Sequence, residues 1–186
     1  MSLVRSATTS SLYTWTVMAM LTAISVVLVY LVHTWIFPSA PFLEYDPADI
    51  PILIGAFAYG PLAGLGLTVA ASAIQALTVS AKSGLYGFLM HVIATSVLTV
   101  TASVIYKKKH TKGGAALGLL CGTAAMGAVM MAANHFITPL FMGVPTETVD
   151  AMLLPVMLPF NLIKAGINSL FTFLIYKAVS VSFIKK

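Results

Sequence analysis

Residues 50–79 decide the fold, and they read IPILIGAFAYGPLAGLGLTVAASAIQALTV. The short apolar run Ile50–Tyr59 is followed by the dipeptide Gly60-Pro61 and then by a second apolar run, Leu62–Val79. A Gly-Pro dipeptide marks a turn, because glycine adopts backbone conformations closed to other residues and proline cannot continue a preceding helix. The stretch therefore predicts a short helix, a turn and a longer helix. The alternative is one kinked helix over the same residues.

The composition is that of a membrane protein. Of the 186 residues, 59% are hydrophobic and 8% are charged, and the mean hydropathy is +0.98. Soluble domains carry about 25% charged residues, so a soluble enzyme, a disordered regulator and a nucleic-acid-binding module are excluded. The single cysteine, Cys121, excludes an intrachain disulfide framework and a multi-cysteine metal site. We therefore expect an all-α integral membrane protein.

Apolar runs extend over most of the chain. A helix needs about 20 apolar residues to cross a bilayer. The first run is too long for a cleaved signal peptide, and no small-residue cleavage site precedes a polar region. Pro155 and Pro159 indicate that the last run is entered through a break. We predict a single transmembrane domain over residues 1–186, with spans at about 11–37, 49–59, 61–80, 84–107, 113–138 and 153–183.

The charged residues sort by side when six crossings are counted from a cytoplasmic N-terminus. Arg5, the lysines of residues 107–112 and the C-terminal lysines then lie inside, and all five acidic residues lie outside with Lys82. Eight of the ten basic residues on one side satisfy the positive-inside rule. Five crossings would break this bias. We therefore predict six transmembrane helices with both the N- and C-termini cytoplasmic; a lipid-headgroup site is the alternative reading of Lys107–Lys109.

The chain lacks the residues of common coupling and catalytic sites. Apart from Asp49, the first residue of the second span, no predicted span carries an aspartate or a glutamate, whereas ion-coupled carriers usually place a carboxylate at membrane depth. The GxxxxGK[ST], HExxH and GxSxG motifs are all missing from the sequence. The histidines are dispersed, and we expect none of them to bind a metal: His33, His91, His110 and His135. Binding or passage of a solute, energised from elsewhere, is the remaining class of function.

A polar stripe in the last span is the strongest candidate site. Lys164 lies inside an apolar run, where a lysine costs about 2.5–3.5 kcal/mol on insertion scales. It therefore either snorkels to the surface or contacts a ligand, and we expect the ligand. Asn161 lies three residues before it and Asn168 four after, on one helical face. These donors suit a ligand rich in carbonyls, ring nitrogens or phosphate.

Two further regions add candidates. Asn134, near the outer end of the fifth span, either pairs with a heterocyclic edge or caps the helix C-terminus. Phe42 and Leu43 are apolar residues in an otherwise polar outer loop, and we expect them to form a lid over an outer pocket. In the same loop, we expect Asp46 or Asp49 to cap the N-terminus of the second helix.

Small residues spaced four apart occur in three helices. They are Ala19 with Ala23, Gly60 with Gly64, and Gly118 with Gly122. This spacing lets helices approach closely in lipid. We expect internal packing for most of them, and a partner contact is the alternative for Ala19 and Ala23.

Six segments follow one another in the chain: PFLEYDPADIP (41–51), GPLAG (60–64), GLYGFLM (84–90), YKKK with KG (106–109 and 112–113), NHFITPL (134–140) and PFNLIK (159–164). Together they resemble the riboflavin-specific type of S-component, the substrate-specific subunit of energy-coupling factor (ECF) transporters. The last segment is the most specific, and the resemblance covers about residues 10–180. Two residues depart from the family pattern: His91 stands in place of Asn and His135 in place of Tyr.

The resemblance implies a role. It implies a vitamin-binding membrane subunit in the cell membrane of a prokaryote, joined to a transmembrane coupling subunit and two ABC ATPases that hydrolyse ATP. The subunit itself would be no enzyme and would need no cofactor, with riboflavin or FMN as its cargo. Ala19 and Ala23 would contact the coupling subunit, and Asn134, Asn161 and Lys164 would contact the flavin.

Other functions remain open on the sequence alone. The same fold can carry another vitamin or a vitamin precursor. A stand-alone channel or carrier would place polar residues along a whole helix, whereas here they cluster toward the outer half. A membrane enzyme would need an acid–base pair or a nucleophile with its base, and the sequence offers neither.

Overall fold

The computed structural model describes the backbone of residues 2–32, 34–37 and 40–183, and the side chains of 11–32, 34, 36–37 and 40–176. Seven α-helices make up most of the described chain: α1 (Ser2–Leu31), α2 (Asp49–Tyr59), α3 (Pro61–Leu77), α4 (Gly84–Lys108), α5 (Lys112–Met142), α6 (Thr146–Met152) and α7 (Leu158–Phe183). Several predicted positions fall outside the described residues: His33, Pro38, Lys185 and Lys186, together with the side chains of Arg5 and Lys177.

The segment between α1 and α2 contains a two-stranded hairpin that the sequence did not predict. Strand β1 (Thr34–Trp35) pairs antiparallel with β2 (Glu44–Tyr45), with Thr34 opposite Tyr45. Two-residue strands are too short for the alternation of apolar and polar residues to be visible in a sequence. The first helix therefore ends at Leu31 rather than at residue 37, and the described residues 32, 34–37 and 40–48 belong to its connection with α2.

Helix α2 lies in the centre of the bundle. All residues from 49 to 57 are buried, as expected for a helix that is apolar on every side. Gly60 follows with φ 95°, a value that favours glycine, and Pro61 begins α3. A Cβ on Gly64 would lie 2.6 Å from the Cβ of Ala56, so α3 runs back alongside α2. The predicted helix–turn–helix is confirmed, and the single kinked helix is wrong.

Helices α4 and α5 approach closely at the second glycine pair. A Cβ on Gly118 would lie 2.6 Å from the carbonyl oxygen of Ala102, and one on Gly122 would lie 2.8 Å from that of Leu98. The internal packing predicted for this pair is therefore confirmed. The largest apolar core cluster surrounds this contact and includes Leu53, Phe57, Leu98, Leu119, Met126 and Met130.

Two helix ends differ from the sequence prediction. Helix α5 continues past residue 138 and through Pro139 to Met142, where Gly143 closes it at φ 65°. Proline removes only one intrahelical hydrogen bond here, so it does not end the helix. The last predicted span begins differently, because a π-helical turn over Leu153–Met157 contains Pro155 and joins α6 to α7. The irregularity predicted at Pro155 is therefore confirmed, whereas Pro159 is the second residue of α7 and does not interrupt it.

Among the described residues, four helical stretches are long and apolar enough to cross a membrane: Ser11–Leu31, Ala81–Lys108, Lys112–Met142 and Thr146–Tyr176. Helices α2 and α3 are shorter, with 11 and 17 residues. At 1.5 Å per residue they are about 16 and 26 Å long, below the roughly 30 Å of a bilayer core. Apart from the small hairpin, the described chain is thus an all-α membrane protein.

The connections divide the charged residues between the two ends of the bundle. Residues 32–48, the 3₁₀ turn Ala81–Ser83 and the α5–α7 connection lie at one end, which we call the loop end. All five acidic residues belong to this end. The Gly60-Pro61 turn and the lysines of residues 107–112 lie at the opposite end.

The close approach of α4 and α5 gives a stability prediction. Gly118→Ala should destabilise the protein by about 1–3 kcal/mol, because the new methyl group meets backbone that cannot move aside. Gly166→Ala in α7 is the matched control, since nothing lies within 4 Å of its added Cβ. Thermal unfolding in detergent should show a lower Tm for Gly118→Ala only. Equal Tm values for the two variants would contradict the packing described.

Candidate functional site

A cavity lies at the loop end, between residues 42–46 and helices α3, α4, α5 and α7. Its apolar wall contains Phe42, Leu43, Tyr86, Met126, Phe141 and Phe160. Its polar lining contains Glu44, Asp46, Gln75, His91, Asn134, Asn161 and Lys164. The cavity thus combines aromatic and aliphatic surfaces with a few converging polar groups, which is typical of a small-molecule site.

A buried ion pair joins the loop to α7 at this cavity. The Nζ of Lys164 donates to Oδ2 of Asp46 at 2.6 Å, and the two side chains are 10% and 12% exposed. Asp46 Oδ1 also accepts the backbone N–H of Ala48 at 3.0 Å. Burial alone would raise the pKa of the Asp46 carboxyl, but the Lys164 ammonium and these hydrogen bonds hold it below its usual range. The positive charge of Lys164 is therefore already balanced by Asp46, and the residue does not offer an unpaired cation to a ligand.

Asn168 extends this connection one turn further along α7. Its Nδ2 donates to the carbonyl oxygen of Asp46 at 3.1 Å and to Oδ2 of Asp49 at 2.9 Å. Its Oδ1 accepts the hydroxyl of Tyr45 at 3.0 Å, and Thr95 on α4 donates to Asp49 Oδ1 at 2.6 Å. Asn168 is fully buried and is not among the residues that line the cavity. In the structure Asn168 thus holds residues 45–49 in place, and its predicted ligand contact stays a prediction.

The two aspartates do not cap α2 as the sequence predicted. The residue at the N-cap is Ala48, and no side chain caps the helix. Asp49 is the first helical residue, and its carboxylate is turned to Thr95 and Asn168 instead. The network therefore uses both carboxylates to hold the loop to α4 and α7.

Asn134 and Asn161 both line the cavity, and both are anchored to their own helices. Asn134 Nδ2 donates to the carbonyl of Met130 at 2.7 Å, and its Oδ1 accepts Thr138 Oγ1 at 2.8 Å. Asn134 lies well inside α5, so the C-cap alternative is wrong. Asn161 Nδ2 donates to the carbonyl of Met157 in the π-helical turn at 2.8 Å. Each amide keeps one N–H for another acceptor, since a carboxamide has two.

Sequence reasoning missed four of the polar residues named above as lining the cavity: Glu44, Asp46, Gln75 and His91. Asp46 was assigned to a cap, although its partner Lys164 lies 118 residues away in the chain. His91 and Gln75 were not assigned to the site, although both line the cavity. The one available signal was the departure at His91 from the family pattern.

Comparisons with known proteins agree on a family. The family model described as "ECF transporter, substrate-specific component" matches residues 14–176. The riboflavin transporter FmnP of Bacillus subtilis (strain 168) is 32% identical over 157 residues, which cover 80% of this chain and 82% of FmnP. The riboflavin transporter RibU of Staphylococcus aureus (strain TCH60) is 26% identical over 174 residues, 90% of each chain.

A solved structure has the same fold. It is described as the S component of a bacterial ECF transporter, with a TM-score of 0.81 and 26% identity, and the match covers 93% of this chain and 98% of that one. The chain belongs to the ECF transporter substrate-specific component family. The resemblance noted in the sequence is thereby confirmed.

The predicted partner contact of this S-component lies away from the cavity. Ala19 and Ala23 are both exposed on α1, beside the exposed apolar residues Met20 and Ile24. The other face of α1 is buried, and Ser25 Oγ donates there to the carbonyl of Ala48 at 2.9 Å. Ala19 and Ala23 are thus not used for packing within the described chain.

Within the described residues, no group of three or more His, Cys, Asp or Glu side chains could hold a metal ion.

The ion pair predicts an asymmetry between single and double substitutions. Lys164→Met should destabilise the S-component by about 3–5 kcal/mol, because it leaves the Asp46 carboxylate buried and unpaired. The double variant Asp46→Asn/Lys164→Met should recover part of that loss, because no charge remains buried there. Thermal unfolding of the ligand-free protein in detergent measures both. A double variant no more stable than Lys164→Met would contradict the pairing.

Proposed function

We propose that this S-component binds riboflavin and delivers it into the cell as part of an ECF-type vitamin uptake transporter. The observation that carries the proposal is the cavity at the loop end, which joins aromatic walls to a polar stripe on α5 and α7. Two relatives that are named riboflavin transporters support this cargo over another vitamin or precursor.

The chemistry of the cavity suits a flavin. The isoalloxazine ring has apolar faces and a pyrimidine edge with carbonyl groups and an N–H, and the ribityl chain carries hydroxyls. Phe42 and Leu43 of the loop cover the apolar faces, while the free amide hydrogens of Asn134 and Asn161 bind acceptors on the flavin. Lys164 donates a further hydrogen bond from the ion pair. Asn168 acts indirectly, by holding the loop that carries Phe42 and Leu43.

The charges of the cavity favour riboflavin over FMN. The positive charge of Lys164 is balanced by Asp46, and Glu44 adds a second carboxylate to the lining. A phosphate group carries about −1.5 to −2 charges at pH 7 and would meet this excess of negative charge. An uncharged vitamin does not.

We place the S-component in the plasma membrane of a prokaryote, with six crossings and both termini in the cytoplasm. The separation of charge along the bundle supports this orientation, since the acidic residues belong to the loop end and the lysine-rich turn to the other. The loop end, with the cavity, then faces outward.

The S-component has no ATP-hydrolysing motif in its sequence, so we assign the energy to partners. These are a transmembrane coupling subunit and two ABC ATPase subunits, and the chain itself is not an enzyme. Ala19 and Ala23 form the contact with the coupling subunit. Their small, exposed side chains permit a partner helix to approach closely.

A flavin fluorescence titration of the purified S-component alone tests the cargo. Riboflavin fluorescence should be quenched stoichiometrically, without any ATPase. FMN should bind at least about tenfold more weakly, because of the carboxylates. The difference in affinity between riboflavin and FMN should be smaller in Asp46→Asn, because this substitution leaves the Lys164 ammonium unpaired and able to bind the phosphate. Folded wild-type protein that quenches neither flavin would contradict the proposed cargo, and equal affinity for the two flavins would contradict the electrostatic argument.

The partner surface is tested with the double variant Ala19→Leu/Ala23→Leu. The larger side chains should keep a partner helix at a distance and abolish riboflavin uptake by the assembled transporter. Riboflavin binding by the isolated S-component should stay unchanged, because neither alanine lines the cavity. Ala70→Leu, at an exposed position on α3, is the control. Normal uptake by the double variant would exclude Ala19 and Ala23 from the contact.

A further inference from the structure

Two polar atoms in the cavity wall have no hydrogen-bond partner. The Nε2 atoms of Gln75 on α3 and of His91 on α4 are both buried without one, although both residues line the cavity. Gln75 is 4% exposed, so bulk water does not reach it freely. Buried polar groups in proteins are nearly always paired. Two unpaired groups in one cavity wall therefore point to a ligand that completes them.

The hydrogen bonds of Ser72 fix what His91 offers to the cavity. Ser72 Oγ donates its single hydrogen to the carbonyl of Thr68 at 2.6 Å. Its contact with His91 Nδ1 at 2.7 Å therefore requires the imidazole to donate. In a neutral imidazole with its hydrogen on Nδ1, Nε2 is an acceptor; this atom lies 4.0 Å from Asp46 Oδ1, beyond hydrogen-bond distance. The cavity wall thus presents an acceptor on His91 and amide N–H donors on Gln75.

We propose that Gln75 and His91 form a second polar subsite for the cargo, separate from the stripe on α5 and α7. The subsite takes an uncharged group that offers an acceptor to Gln75 and a donor to His91. This inference rests on the proposed function, since riboflavin carries two such groups. One is the imide edge of the pyrimidine ring, and the other is the row of ribityl hydroxyls.

Three ligands distinguish these two sources. N3-methylriboflavin lacks the imide N–H, and lumiflavin lacks the ribityl hydroxyls. Each is titrated, beside riboflavin, into wild-type protein, Gln75→Met and His91→Leu. Gln75→Met keeps the length of the side chain and breaks no hydrogen bond of its Nε2 atom, so it tests the subsite even if His91→Leu, which loses the Ser72 contact, fails to fold.

The matched control is Thr99→Val. Thr99 on α4 also has a buried side-chain oxygen without a partner, but it does not line the cavity. We expect riboflavin affinity to fall about tenfold or more in Gln75→Met and His91→Leu and to stay within about twofold in Thr99→Val. The analogue that lacks the group bound by the subsite should bind wild-type protein more weakly than riboflavin does. In the variants, the difference in affinity between riboflavin and that analogue should disappear.

Each outcome of these titrations either supports the subsite or overturns it. If the variants no longer bind N3-methylriboflavin more weakly than riboflavin, the subsite binds the imide edge. If they no longer bind lumiflavin more weakly than riboflavin, the subsite binds the ribityl chain. If wild-type protein binds riboflavin and Gln75→Met binds it equally well, the subsite is overturned. The proposed function is then unaffected. An equal loss for all three ligands would also overturn it, since a purely structural effect does that. Wild-type protein that binds no flavin would overturn the proposed function, and this inference with it.

Discussion

The buried ion pair between Asp46 and Lys164 is the interaction on which the rest of the site depends. A lysine inside a span is expensive, and so is a carboxylate removed from water. Each compensates the other at 2.6 Å, and the pairing ties the connection after α1 to the second turn of α7. Asn168 and Asp49 extend the same connection to α2 and α4. The loop is therefore fixed as one wall of a cavity by electrostatics as well as by apolar packing.

We attribute the proposed selectivity for an uncharged cargo to this arrangement. Because the charge of Lys164 is balanced, the polar lining offers hydroxyls, amides, an imidazole and an excess of carboxylate, and under the proposed function these groups recognise a flavin through hydrogen bonds instead of net charge. The close glycine contacts at Gly118 and Gly122 hold α4 and α5, which both contribute to the cavity wall, against each other.

Much of the fold was predictable, because apolar runs and Gly-Pro punctuation report directly on helices in lipid. The bounds of α2 and the start of α4 came within a residue, whereas α5 continues through Pro139, as membrane helices can when neighbouring groups satisfy the freed backbone carbonyl. Of the site, Asn134, Asn161 and Lys164 were recognisable as polar residues in apolar surroundings. The pairing of Asp46 with Lys164 was not, because it joins residues 118 apart and no local pattern encodes it. Gln75 and His91 were missed for the same reason.

The central claim is that the loop held by Asp46 and Lys164 forms a wall of the flavin site. An experimental structure of the S-component with riboflavin bound tests it most directly. We predict density for the flavin in the cavity at the loop end, in contact with Asn134 and Asn161, with Asp46 and Lys164 still paired. A flavin bound elsewhere on the bundle, or a bound state in which Asp46 has left Lys164 for solvent, would contradict the account.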